Sequence, residues 1–320
     1  GPSGCGKTTL SRCMNGLIPD FFEGKLTGSC KVCGMEIAEH ETGDYSPHVG
    51  SVFQDPRSQF FTLHVKTELP FPSENLGIPK EVIQERLRGT VESLRLSALT
   101  NKGIFQLSSG EKQKVAAASV YAAGADVYVL DEPSANLDAT GTEELRQLLK
   151  RLKERGCTVV VSEHKLYYLR DLADRIVVLQ NGRIVRAIEQ KELAGISGRW
   201  LRERGLRQLD LKEVRTVFAG GPVSDGFPAL AAENLSFRYP KEAVLWRDVS
   251  FSCASGEIVG IVGKNGTGKS TLIRVLMGLE KPMTGTICLR GKRASPRQRR
   301  KESFYVMQDV DYQLFAGSVL

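Results

Sequence analysis

Gly1-Pro-Ser-Gly-Cys-Gly-Lys-Thr-Thr-Leu10 and Gly263-Lys-Asn-Gly-Thr-Gly-Lys-Ser-Thr-Leu272 are one pattern written twice in a single chain. Each copy has a glycine, four residues, then Gly-Lys and a hydroxyl residue. Glycines let successive backbone N–H groups turn inward around phosphate oxygens, and the start of a following helix adds a favourable dipole. Lys7 or Lys269 would neutralise the terminal phosphates, and Thr8 or Ser270 would offer an oxygen to Mg²⁺. The reading predicts two ATP-binding loops. The first comprises Gly1, Ser3, Gly4, Cys5, Gly6, Lys7, Thr8 and Thr9. The second comprises Gly263, Asn265, Gly266, Thr267, Gly268, Lys269, Ser270 and Thr271.

Outward from these loops the repetition continues in order. Asn15-Gly16-Leu17 matches Met277-Gly278-Leu279, and Thr27-Gly28-Ser29 matches Thr284-Gly285-Thr286. Val52-Phe53-Gln54-Asp55 matches Val306-Met307-Gln308-Asp309. Ordered blocks of this kind predict a duplicated domain. The expected organisation is a first domain over 1–205, a polar linker over 206–228 and the N-terminal part of a second domain over 229–320. Because the chain opens on Gly1 inside a motif, the expectation is of a fragment. By domain anatomy about 34 residues would precede it and about 140 would follow.

The apolar and β-branched run Ile258 to Val262 precedes the second loop and predicts a buried parallel strand, with a helix from Lys269 to Leu279. Val127 to Leu130 and Thr158 to Val161 read as two more buried strands. Between them, Gly141 to Arg155 has helical spacing, with Leu145, Leu148, Leu149 and Leu152 on one face. Ile176 to Leu179, Asn181-Gly182, then Ile184 and Val185 read as a hairpin with a type I′ turn. Strands alternating with helices indicate an α/β fold with a parallel sheet.

Bulk properties narrow the function. Apolar residues at 41% and charged residues at 25% of 320 positions are ordinary for a globular chain of two domains. No apolar run reaches the ~18 residues a spanning helix needs, so work at a membrane would require docking on a partner. Seven scattered cysteines argue against a disulfide framework. Cys30 and Cys33 have CxxC spacing but no second pair, and the repeat puts Ile287 and Arg290 in their places, so they read as strand and turn residues. The net charge of +7 gathers at Arg199 to Arg215 and Arg290 to Lys301, without the aromatic interleaving of a single-strand binder. No nucleic acid is expected.

Val127-Tyr-Val-Leu-Asp-Glu132 is an apolar strand ending in two carboxylates. Asp131 would help to hold Mg²⁺, and Glu132 is placed to polarise an attacking water.

With these residues in hand, the chain resembles the ATP-binding cassette (ABC) ATPases along nearly its whole length. Leu107-Ser-Ser-Gly-Glu111 is similar to the family signature LSGGQ, with Ser109 for a glycine and Glu111 for glutamine. The resemblance implies a P-loop NTPase fold with a helical subdomain, and ATP held between two paired domains. Ser108, Ser109, Gly110 and Glu111 would form the signature, with Ser108 and Gly110 meeting the γ-phosphate of the opposite site. Gln54 and Gln308 resemble the glutamine that links Mg²⁺ and water to the transport partner. Ser134 to Asp138 resembles the D-loop, His164 the switch histidine, and Tyr239 the aromatic that stacks on adenine. Catalysis would then fall to Glu132, His164 and Gln54, and Mg²⁺ to Thr8, Gln54, Asp131, Ser270 and Gln308.

One branch fits best. Gln54-Asp-Pro-Arg-Ser-Gln-Phe-Phe61 and its echo Gln308-Asp-Val-Asp-Tyr-Gln-Leu-Phe315 resemble the ATPases of energy-coupling factor transporters. That branch implies a peripheral subunit on the cytoplasmic face of the cell membrane, bound to a membrane coupling protein and a substrate-capturing subunit. Its cargo would be a vitamin or a transition-metal ion. Pro70 and Pro72 depart from the pattern in the docking segment. The alternative is a soluble duplicated ABC ATPase acting on ribosomes or DNA, for which the short linker and the lack of zinc-type cysteine sets speak poorly.

Overall fold

The computed structural model describes residues 1–210, 227–240 and 243–307, and the chain divides into two compact units, Gly1–Thr216 and Val217–Leu320.

The first unit is built on a parallel sheet. The strands are β3 (Val49–Val52), β4 (Val127–Asp131) and β5 (Thr158–Ser162), in that spatial order, with Leu130 opposite Val52 and Val161. Ahead of them lies a two-residue hairpin, β1 (Lys31–Val32) and β2 (Met35–Glu36). Cys33, exposed and at φ 52°, makes its turn with Gly34, while Cys30 sits half-buried just before it. The helices that cover the sheet include α1 (Lys7–Met14), which packs on β4 and β5. A helical region holds α2 (Lys80–Ser93) against α3 (Ser109–Ala123). α4 (Ala139–Glu154) buries Leu145, Leu148, Leu149 and Leu152, as its spacing predicts. Each such leucine contributes about 1.5–3 kcal/mol on burial.

The hairpin β6 (Arg175–Gln180) and β7 (Arg183–Glu189) turns at Asn181 (φ 48°) and Gly182 (φ 73°), the left-handed pair a type I′ turn requires. Beyond it, Leu206 and Leu209 pack with Leu166, Val178 and Ile188, and Asp210 pairs with Arg170 at 2.8 Å. This unit therefore runs past the expected boundary at residue 205, because those leucines have an apolar layer to enter. The expected linker over 206–228 otherwise lies mostly outside the described residues.

Among the described residues, the second unit is a four-stranded antiparallel sheet in the order β11-β10-β8-β9. Its strands are β8 (Leu230–Phe237), β9 (Trp246–Cys253), β10 (Thr284–Leu289) and β11 (Lys292–Arg293). α5 (Lys269–Met277) lays Val275 on this sheet, against Leu235, Phe237 and Ile287. α6 (Pro296–Glu302) follows, and two of its arginines cap the end of α5. Arg299 donates to the Ala294 and Val275 carbonyls, and Arg300 to that of Gly278. Burial and the neighbouring Arg300 lower the pKa of Arg299.

One expectation fails here. Ile258 to Val262 forms no strand, and its side chains face solvent, Ile258 at 98% and Val262 at 91% exposure. A buried parallel strand needs neighbours along both edges and apolar layers on both faces. β4 has both in the first unit. Among the described residues, the second unit offers only its antiparallel sheet, and the run is left without a ladder.

Candidate functional site

The two glycine loops have the same form. Gly4 (φ 73°) and Gly6 (φ 95°) in the first correspond to Gly266 (φ 81°) and Gly268 (φ 88°) in the second. A side chain at these positions would be strained, which is why glycine recurs at them. Lys7 Nζ donates to the carbonyls of Gly1 and Pro2, at 3.0 Å each. Lys269 Nζ donates to those of Gly263 and Lys264, at 2.8 Å each. Thr8 and Thr9 open α1, and Ser270 and Thr271 open α5. Ser3, Cys5, Asn265 and Thr267 complete the loops; Thr267 Oγ1 bonds the Lys264 carbonyl at 2.9 Å. Tyr239 stands beside the second loop, its hydroxyl 3.0 Å from Thr271 Oγ1 and its ring edge-on to Phe237.

The first unit adds carboxylates at the C-terminal ends of its strands. Asp131 is 6% exposed, and its Oδ1 has no hydrogen-bond partner. Ser162, opposite it on β5, has an equally orphaned hydroxyl. Buried polar atoms are nearly always paired, so this end of the sheet is built to receive a polar partner. The donor set of Asp131 and the Thr8 hydroxyl fits a Mg²⁺ ion that also draws oxygens from a nucleotide.

Glu132 follows at φ 44°, a conformation a glutamate adopts only when its surroundings hold it there. Its amide donates to the Ser162 carbonyl at 2.8 Å. Glu132 Oε1 lies 2.9 Å from His164 Nε2, and Gln54 Nε2 donates to its Oε2 at 3.3 Å. The three residues expected to carry the chemistry, Gln54, Glu132 and His164, thus meet although they come from three different strand ends.

Two supporting roles are visible only in the structure. Glu163 is buried; its Oε1 accepts the amides of His164 and Lys165, at 2.7 and 3.0 Å, and its Oε2 accepts the Tyr168 hydroxyl at 2.8 Å. Burial, then the Glu163 charge, push the Tyr168 phenol far up, so it stays a donor. Lys165 Nζ reaches the Ser134 carbonyl at 2.8 Å, tying the histidine turn to the loop after Glu132. An acidic residue just before two polar ones at a strand end was the available signal, the same arrangement that caps helices.

The signature residues sit apart from this cluster, at the start of α3. Ser108 caps the helix: Glu111 N–H donates to its hydroxyl at 3.3 Å, and its own N–H donates to Glu111 Oε2 at 2.8 Å. Lys102 pairs with Glu111 Oε1 at 3.0 Å. Burial opposes ionisation of Glu111, but the Ser108 and Lys102 bonds outweigh it and hold the carboxyl below its usual range. Ser109 and Gly110 form the first turn, with Gly110 buried. Gln308 lies outside the described residues.

Known proteins resemble this chain in sequence and in fold. The ABC transporter family model matches residues 1–135 and 246–318. The whole chain is 42% identical, over 323 aligned residues, to a Treponema denticola protein named as an ABC transporter ATP-binding protein, and spans 66% of it. It is 34% identical over 346 residues to YkoD of Bacillus subtilis, a protein named for HMP/thiamine import, and spans 63% of that protein. The chain thus covers a little under two thirds of the length of these curated relatives. Among solved structures, CbiO1 of Clostridium perfringens, part of the ABC transporter complex cbiONQ, superposes with a TM-score of 0.54. The two are 27% identical, and the match covers 64% of this chain and 80% of CbiO1.

Proposed function

We propose that this chain, which belongs to the ABC transporter ATP-binding family, is part of the ATP-hydrolysing motor of an energy-coupling-factor type importer of a vitamin or a transition-metal ion. The observation that carries the reading is Glu132, held at a strained φ between Gln54 and His164. ATP phosphates would enter the loop at Lys7, whose ammonium leaves the Gly1 and Pro2 carbonyls for them. Glu132 would accept the proton of the attacking water while Gln54 orients that water. His164 would exchange its contact with Glu132 for one with the γ-phosphate. Mg²⁺, held through Asp131 and Thr8, would supply charge neutralisation at the β- and γ-phosphates. Ser270 would take the part of Thr8 in the second loop.

The two loops of equal form support duplication of the ATP-binding domain in the whole protein, and Ser108 to Glu111 would serve a composite site there. A membrane partner is supported by large apolar side chains left in solvent beside the Gln54 segment: Phe61 at 74%, Leu63 at 65% and Phe105 at 81% exposure. Backbone bonds join their segments, Ile104 N–H donating to the Leu63 carbonyl at 2.9 Å. Exposed clusters of this kind mark binding sites. No helix of the described residues is long and apolar enough to cross a membrane, so the importer reading needs a spanning partner. CbiO1 is part of a transporter complex, and YkoD is named for HMP/thiamine import.

The test is purification of the whole protein from its own membranes. A membrane-integral companion together with Mg²⁺-dependent ATP hydrolysis is expected. Hydrolysis accompanied by ribosomes or DNA would overturn the importer reading alone, and absence of hydrolysis would overturn the motor.

A further inference from the structure

Among the described residues β3 is an edge strand, paired only with β4. Its free edge is covered by a side chain. Phe53 N–H donates to the Gln59 amide oxygen at 2.7 Å, and Gln59 Nε2 donates to the Ser51 carbonyl at 2.7 Å. Ser51 and Phe53 are two apart and present the same edge of the strand. One carboxamide therefore gives that edge a donor and an acceptor, as a neighbouring strand would. A carboxamide holds its donor and its acceptor in one fixed plane and keeps both at any ordinary pH. Gln54 comes next, carrying the amide that reaches Glu132. A few residues on, the carboxylate of Glu68, only 2% exposed, accepts Thr62 N–H at 2.7 Å and Phe61 N–H at 3.2 Å. Between β3 and the exposed Phe61, these two side chains do the holding that a sheet ladder does elsewhere. The sequence repeats the spacing: Gln313 follows Gln308 as Gln59 follows Gln54, in residues outside those described.

We propose that Gln59 is a positioning residue for Gln54, and that with Glu68 it makes residues 53–62 a stiff link from the exposed Phe61 to the Glu132 carboxylate. The proposal rests on the ATPase reading for its consequence, though not for its geometry. Gln59→Met preserves shape and removes both bonds. Gln59→Glu keeps the acceptor and, at neutral pH, sets a carboxylate oxygen against the Ser51 carbonyl.

In the whole protein, both variants should lower kcat for ATP about ten- to a hundredfold. KM should stay within about twofold, because the phosphate loop is untouched. Gln59→Met should add nothing once Gln54 is alanine. Amide exchange at Phe53 should quicken in both variants. In Gln59→Glu, after correction for intrinsic rates, protection should return as pH falls and the carboxyl regains a donor. Wild-type kcat and wild-type exchange in both variants would overturn the proposal, as would losses from Gln54→Ala and Gln59→Met that multiply. If the parent protein shows no hydrolysis, the motor reading fails by itself, and the Phe53 exchange still decides whether Gln59 is the clamp.

Discussion

The loop at Lys7 and the loop at Lys269 share their glycine conformations and their lysine contacts, yet they stand on different foundations. The first leads into α1 over a parallel sheet whose strand ends carry Asp131, Glu132 and His164. The second leads into α5 over an antiparallel sheet, and the apolar run before it, Ile258 to Val262, lies in solvent. The loop's form is thus a local matter, set by a handful of glycines and a helix start. The proposed chemistry is not local, because the carboxylates and the histidine arrive from strands far apart in sequence, and the parallel sheet brings their ends together.

The difference can be put under load. Leu130 is 1% exposed in the middle of the first unit's core, beside Val52 and Val161. Leu130→Ala should cost that unit about 2–5 kcal/mol, read as a lowered denaturation midpoint of its transition, with the second unit's transition unmoved. A loss of both together would mean the units do not unfold separately. A smaller effect is expected at Ser108, where Ala removes the cap of α3 and should cost about 0.5–2 kcal/mol. This cap has a pH signature. Since Glu111 ionises below its usual range, its contribution is fully present above the ordinary glutamate pKa and declines as pH falls through the lowered value. Ser108→Ala should flatten part of that acid-side decline in a pH series of denaturation curves. The smallest effect belongs to the second unit. Ile258→Ser should change stability by no more than about 0.5 kcal/mol, as for any exposed position. A cost like that of Leu130→Ala would place Ile258 in a packed sheet after all.

Much of the first unit was legible. Val127 to Leu130, the α4 leucines and the Asn181-Gly182 turn announce themselves by periodicity and by the conformations only certain residues take. Glu132 and His164 were legible as motifs, and their contact follows from parallel pairing of β4 with β5. Ile258 to Val262 misled, because an apolar run states what a strand would bury but not whether a ladder awaits it. Leu206 and Leu209 read as linker, since two leucines among polar residues show no period. What Glu163, Gln59 and Glu68 hold is harder to read from sequence: each bonds backbone amides a few residues away, and that depends on loop shape rather than on spacing.

On the proposed function, the first unit holds the hydrolytic apparatus. The most direct test is Glu132→Gln in the whole protein with the second loop disabled by Lys269→Ala. ATP hydrolysis at the remaining site should fall about 10²–10⁴-fold while ATP binding, measured by calorimetry, persists, since Lys7 and the loop amides still hold the phosphates. Hydrolysis at the rate of the Lys269→Ala parent would contradict it.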